Sequence, residues 1–217
     1  DKNGGKAWGL IFQNMTFAAL NRAKKLKLTM KIAHQAENVE KNRYRDISPY
    51  DSNRIVLGPE QNYINASPLH LKETDQNYIL CQGPLDDTCE DFWQMVWERE
   101  VPTIVMLNKL IERNQPKCAA YFPDSASSEP LRYPTFAVTC VDVDKDGDYT
   151  IRRLSLEKAG EETPKTITHL QFTEWPDFGV PRTTSTFLDF LRVFWKVHGR
   201  ESNAASVVHC SAGVGRS

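Results

Sequence analysis

Ser206-Val207-Val208-His209-Cys210-Ser211-Ala212-Gly213-Val214-Gly215-Arg216-Ser217 is the stretch on which the reading of this 217-residue chain turns. Val207 and Val208 are β-branched, as expected of a short buried strand. Small residues and two glycines follow, so the backbone can bend tightly with its N–H groups pointing inward. Such a nest, normally opening a helix, holds an anion the size of phosphate. Cys210 lies at its base, and Arg216 closes it with a planar fork matched to two phosphate oxygens. Inward N–H groups also stabilise a thiolate, which makes Cys210 a nucleophile near neutral pH. The pattern belongs to this cysteine alone: six residues past Cys81, Cys89, Cys118 and Cys140 stand Asp87, Met95, Asp124 and Asp146. A buried structural thiol would account for a lone cysteine. It does not account for a strand, a small-residue loop and an arginine in this order.

The composition sets bounds around that loop. With 40% hydrophobic and 25% charged residues, the chain is that of a globular protein with a sizeable core, read as one domain over residues 1–217. A net charge of −1 gives no overall basic field for nucleic acid or a membrane surface, so attraction for an anionic substrate must be local. Five cysteines, odd in number and without a Cys-x-x-Cys pair, point to a reducing compartment and a cytoplasmic protein. No apolar run is long enough to span a bilayer. The first residue is Asp1, read as a fragment boundary.

Outward from the loop, Phe187, Leu188, Leu191, Phe194 and Trp195 mark an amphipathic helix just before it. Thr166 to Phe172, Tyr149 to Leu156 and Phe136 to Val143 read as strands, and Ile104-Val105-Met106-Leu107 as a strand buried on both faces. Residues 124–134 read as a surface loop. Phe92, Trp93, Val96 and Trp97 form the apolar face of a helix capped at Thr88. Residues 6–36 look helical and then basic, with Trp8, Ile11, Phe12 and Met15 on one face. Asp142-x-Asp144-x-Asp146-Gly147 opens like a calcium loop, but its twelfth position is Arg153, so it reads as a hairpin turn. Alternating strands and helices imply an α/β fold.

At the Cys210–Arg216 loop the sequence resembles the signature of the cysteine-dependent protein tyrosine phosphatases, closest to the single-domain non-receptor enzymes of the placental and T-cell type. The resemblance implies a twisted mixed β-sheet flanked by α-helices. It also implies a phosphoric monoester hydrolase that transfers phosphate from tyrosine to Cys210 and then to water, with no cofactor and no metal. Its partners would be phosphotyrosine-containing proteins, with no nucleic acid and no membrane segment in this chain; a monomer is expected without the oligomeric state being fixed. Expulsion of a phenolate calls for a general acid. Trp175-Pro176-Asp177-Phe178-Gly179, with Asp177 thirty-three residues before Cys210, looks like the family's acid loop. Asn42-Arg43-Tyr44-Arg45-Asp46 resembles its phosphotyrosine-recognition loop, where Tyr44 would wall the cleft and Asp46 would hold the substrate backbone.

By position, the likeness also carries Arg45, Ile47, Lys117, Phe178, Ser211, Ala212, Gly213, Val214 and Gly215 into the substrate-binding set. Glu112 would pair with Arg216, and Trp175 would support the acid loop. His209 would help depress the Cys210 pKa, and Ser217 would aid breakdown of the phosphocysteine. Departures from the family pattern are Cys81, Pro68 and Phe122, none in a chemical role. In the family the domain continues past the arginine through a helix packed under the loop, and that continuation is absent from these residues. We therefore expect a C-terminally incomplete domain whose Cys210 drifts toward an ordinary thiol pKa near about 8.5. Two other readings compete: a non-catalytic phosphotyrosine-binding relic, disfavoured because Cys210, Arg216 and Asp177 are all intact, and a dual-specificity enzyme, disfavoured by the Tyr44 loop.

Overall fold

A computed structural model describes residues 4–60, 62–181 and 183–217. Helix α1 (Gly4–Lys25) and the short α2 (Ala36–Val39) precede two small strands, β1 (Val56–Leu57) and β2 (Asn62–Tyr63). The hairpin β3 (Ala66–Leu71) and β4 (Gln76–Cys81) leads into α3 (Cys89–Glu98), β5 (Thr103–Met106) and the paired β6 (Ile111–Glu112) and β7 (Gln115–Pro116). Then come β8 (Leu131–Arg132), β9 (Phe136–Asp146), β10 (Tyr149–Lys158), β11 (Lys165–Phe172), α4 (Thr184–His198) and β12 (Ser206–His209).

Eight of these strands form one twisted mixed sheet in the order β3-β4-β12-β5-β11-β10-β9-β8. The central pairs β4–β12, β12–β5 and β5–β11 are parallel, and the outer pairs are antiparallel. Every residue of β5 is buried, because successive side chains enter opposite layers and both layers are covered. On one face Ile104, Met106 and Val207 pack under Phe92, Trp93, Met95 and Val96 of α3. On the other, Val105, Leu170 and Phe172 pack under Phe190 and Phe194 of α4. Each such side chain contributes roughly 1.5–3 kcal/mol by leaving water. Strand β12 is thus clamped between two parallel neighbours, and Cys210 emerges where parallel strands end, the edge at which α/β sheets bind ligands.

Several local expectations change. The first helix stops at Lys25, where Lys27 adopts a left-handed φ of 53°, and only a single 3-10 turn at Ile32–His34 follows. Its apolar face is exposed, Trp8 at 72% and Phe12 at 71%: periodicity identifies a face, not what covers it. Thr88 caps nothing on α3; its Oγ1 instead accepts from the Leu85 N–H. Strand β3 contains Pro68, a residue that argues against a central strand, and it lies on the sheet edge where a missing N–H is tolerated. The loop over residues 124–134 holds the short edge strand β8. The Asp142–Gly147 segment is a hairpin as expected, with residues 142–146 paired as the end of β9, Asp146 opposite Tyr149, and Gly147 in the turn.

Candidate active site

The loop after β12 is held by close backbone approach. Gly213 has a φ of 75°, and a Cβ there would run into the carbonyl of Cys81. Gly83 donates its N–H to the Ser211 carbonyl at 3.0 Å, and a Cβ on Gly83 would lie 2.8 Å from the Cys210 oxygen. So arranged, the Gly213 N–H points at Cys210 Sγ from 3.3 Å. Burial disfavours the thiolate, but the Ser217 hydroxyl and the N–H groups of Arg216, Gly213 and Ser217 outweigh it, bringing the thiol from 9.0 to about 7. Of these donors only the Gly213 N–H meets full hydrogen-bond geometry; the Ser217 hydroxyl is buried, close and not aligned on any partner among the described residues. The expected drift to an ordinary thiol is therefore not found. The loop's own donors suffice to lower it.

Arg216 and Glu112 face each other as two forks, Nη1 to Oε1 at 2.7 Å and Nη2 to Oε2 at 2.9 Å. The Arg216 Nη1 also donates to the Trp175 carbonyl at 2.9 Å, tying the cradle to the Trp175–Gly179 loop. Within that loop the Trp175 Nε1–H closes onto the Gly179 carbonyl at 3.0 Å, and the indole packs edge-on to Phe187 of α4. Asp177 turns inward: Oδ2 lies 3.0 Å from Lys117 Nζ, and Oδ1 lies 3.8 Å from Arg216 Nη2. Phe178 is 87% exposed in a left-handed backbone conformation, with the Arg113 guanidinium over its ring.

Opposite, the Tyr44 hydroxyl bonds Ser211 Oγ at 2.8 Å. A cleft of about 470 Å³ lies between the two walls. Tyr44, Asp46 and Ile47 line one side, Lys117 and Trp175 to Gly179 the other, and Cys210 with Ser211, Ala212, Val214, Gly215 and Arg216 the floor. Gly213 sits behind this floor, at the sulfur. Arg45, expected in the substrate-binding set, is exposed and outside the lining. Its neighbour Arg43, which sequence reasoning passed over, turns inward: Nε donates to the Gly83 carbonyl at 2.9 Å, and its backbone N–H bonds Gln82. That clamp fixes the Tyr44 segment to the same Gly83 turn that holds the nucleophile loop. A half-buried arginine contacting carbonyls 40 residues away leaves no local trace in sequence.

His209 differs from its expected role. It is fully buried, and burial pushes its pKa down to about 4, so at neutral pH it carries no charge with which to stabilise a thiolate. It bonds the Cys210 carbonyl through Nδ1 at 3.0 Å and the Tyr121 hydroxyl through Nε2 at 2.7 Å.

The family model for protein-tyrosine phosphatase matches residues 38–217. Tyrosine-protein phosphatase non-receptor type 2 of Homo sapiens is 42% identical over 194 residues, covering 86% of this chain and 46% of that protein. Tyrosine-protein phosphatase non-receptor type 4 of Mus musculus is 41% identical over 201 residues, covering 89% of this chain and 21% of that protein. Receptor-type tyrosine-protein phosphatase alpha of Homo sapiens is 41% identical over 200 residues, covering 88% and 24% respectively. The chain spans less than half the length of each of these relatives. With a thiol of lowered pKa in a backbone cradle, an anchored arginine and a family match from residue 38 to the last residue, the chain belongs to the protein-tyrosine phosphatase family.

Proposed function

We propose that residues 1–217 belong to a single catalytic domain that hydrolyses phosphotyrosine in proteins through a phosphocysteine intermediate. The observation that carries the proposal is the Cys210 thiol lowered to about 7 at the floor of a cleft that also contains Arg216 and Asp177. In the first step the Cys210 thiolate forms an S–P bond as the P–O(tyrosine) bond breaks. Asp177 gives its proton to the departing phenolate, leaving tyrosine and an aspartate. In the second step Asp177 takes a proton from water, whose oxygen attacks phosphorus and expels the thiolate; phosphate leaves. Arg216 and the inward N–H groups of residues 211–216 bear the charge of the equatorial oxygens in both steps, and the Ser217 hydroxyl aids breakdown of the phosphocysteine by favouring the departing Cys210 thiolate.

Lys117 and Trp175 hold the acid loop over the cleft, and Glu112 aims Arg216. Tyr44 forms one wall and, with Asp46, Ile47 and Phe178, borders the opening, a geometry suited to a long aryl phosphate rather than the shorter phosphoserine. Five free, buried cysteines support a reducing, cytoplasmic setting, and removal of phosphate from protein tyrosines would give the domain a role in signalling. No helix of the described residues is long and apolar enough to cross a membrane.

The experiment is hydrolysis of p-nitrophenyl phosphate and of matched phosphotyrosine and phosphoserine peptides, with Cys210→Ser beside the wild type. Turnover of the aryl esters alone, lost in Cys210→Ser while phosphotyrosine peptide still binds, is the expected result. Binding without turnover in the wild type would instead make the domain a phosphotyrosine-recognition module.

A further inference from the structure

Behind the nest, three buried side chains form a hydrogen-bonded chain that the two chemical steps do not use. His209 Nδ1 lies 3.0 Å from the Cys210 carbonyl oxygen, and His209 Nε2 lies 2.7 Å from Tyr121 Oη. The same hydroxyl lies 2.9 Å from Nε2 of His169 on β11. His169 Nδ1 is buried without a partner among the described residues.

The proton positions follow by elimination. A carbonyl oxygen only accepts, so His209 Nδ1 carries the hydrogen. Burial, and behind it the Arg43 guanidinium, keep His209 neutral against the pull of the Cys210 carbonyl. A neutral ring protonated at Nδ1 offers a lone pair at Nε2, so the Tyr121 hydroxyl donates there. Its oxygen then accepts from His169, which is protonated at Nε2 and kept neutral by burial and by Arg152. The unpartnered His169 Nδ1 is thus a bare lone pair, and a buried acceptor without a partner is tolerated better than a buried N–H. An imidazolium at His209 would reverse the whole chain and strand an N–H at His169.

We infer that His169 and Tyr121 are positioning residues that lock His209 in its Nδ1–H tautomer, so that the ring always donates to the carbonyl of the nucleophile's own peptide unit. In a planar trans peptide the Ser211 N–H points opposite to the Cys210 carbonyl. A carbonyl held on His209 therefore turns that N–H away from the core and toward the anion site. The inference rests on Cys210 as the nucleophile, yet the proton order can be read without turnover.

Ring ¹⁵N and ¹³C resonances of the wild-type protein report the tautomers directly. His209 is expected as Nδ1–H and His169 as Nε2–H, both neutral at pH 7; the opposite tautomer at either, or an imidazolium at His209, overturns the inference. Substitution gives a second reading. Asparagine places its amide nitrogen near the Nδ1 position and glutamine near Nε2. His209→Asn should therefore retain more kcat than His209→Gln, whereas His169→Gln should retain more than His169→Asn. Each gap is about tenfold, the worth of one hydrogen bond, with KM little changed. The weaker variant of each pair, and Tyr121→Phe, should also show a raised pH midpoint for iodoacetate labelling of Cys210. The same amide ranking at both positions would mean that packing alone is at work. A wild-type protein that holds both tautomers but hydrolyses nothing would sink the proposed activity and leave the proton order standing.

Discussion

Arg216 lays both terminal nitrogens on the two oxygens of Glu112, at 2.7 and 2.9 Å, across 104 residues of chain. A third N–H of the same guanidinium goes to the Trp175 carbonyl. Of the five N–H groups an arginine carries, three are thus engaged, and two remain for a ligand. The pair is buried on both sides, so water does not compete for the fork. The arginine is aimed before any phosphate arrives, which lowers the ordering cost of binding.

Glu112→Ala should accordingly cost more than a surface charge. Removing one partner of a fully buried pair destabilises by about 3–5 kcal/mol; here Arg216 keeps the Asp177 carboxylate at 3.8 Å, the Trp175 carbonyl and the open cleft, so the loss should fall below that range. Urea unfolding measures that loss. Where the variant folds, phosphate-analogue affinity should fall along with kcat/KM, since the freed guanidinium must be ordered by the ligand. A loss confined to stability would mean that Glu112 does not aim the fork.

Two glycines in one loop should respond oppositely to the same methyl group. Gly213→Ala places a Cβ against the Cys81 carbonyl in a left-handed backbone, and neither backbone segment has room to yield. The expected outcome is a large fall in Tm and loss of the Gly213 N–H contact to Cys210 Sγ. At Gly215 a Cβ meets nothing within 4 Å, so Gly215→Ala should fold as the wild type does. Equal Tm losses at both would contradict the close approach at Cys81.

Iodoacetate labelling of Cys210 should rise about tenfold per pH unit at low pH and level off above about 7. The sign follows from the shift: hydrogen bonds to the ionised form hold the folded pKa below the ordinary 9.0. For stability, the contribution is complete above pH 9 and is lost as pH falls through 7, about 3 kcal/mol in all. Ser217→Ala removes the leading favourable contact and should move the labelling midpoint upward. An unmoved midpoint would assign the effect to the backbone N–H groups alone.

What was legible in the sequence follows the range of each interaction. The Cys210 loop is local chemistry, with turn residues and a reactive side chain inside a few positions, and it stands out unaided; the Trp175–Gly179 loop alone reads as a turn and gains meaning only beside the Cys210 loop. The central strands and helices α3 and α4 show themselves because burial on one or both faces imprints a period. Glu112 is different: its partner is 104 residues away, so only family resemblance singles it out. Arg43 and His169 act through contacts 40 residues distant, or more, inside ordinary-looking segments. His209 was legible as a neighbour of the nucleophile, but not as a neutral ring, because its depth under Phe92 and Tyr121 is a property of the packed layers. Strand β3 was hidden by Pro68, whose tolerance depends on lying at the sheet edge.

The role of Asp177 can be separated from that of the cradle by the leaving group. Its carboxylate lies between Lys117 and Arg216, held on the loop whose Trp175 carbonyl is bonded to the cradle arginine. A proton donor matters only as far as the departing oxygen needs a proton. Tyrosine phenolate, with a conjugate acid near pKa 10, needs one at neutral pH, and a nitrophenolate much less. Asp177→Ala should therefore lower kcat for a phosphotyrosine peptide by roughly 10²–10⁴. The loss should shrink steadily along a series of aryl phosphates as the leaving group becomes more acidic. Cys210 and Arg216 are untouched, so the variant should still bind phosphotyrosine peptide and form the phosphocysteine with the best leaving groups, which makes it a substrate trap. Lys117→Met provides the control, because it frees the carboxylate without removing it. Its loss should be smaller than that of Asp177→Ala and independent of the leaving group. Should Asp177→Ala lose the same factor for every ester, the aspartate would be an element of the cleft wall, and the proton would have to come from another group.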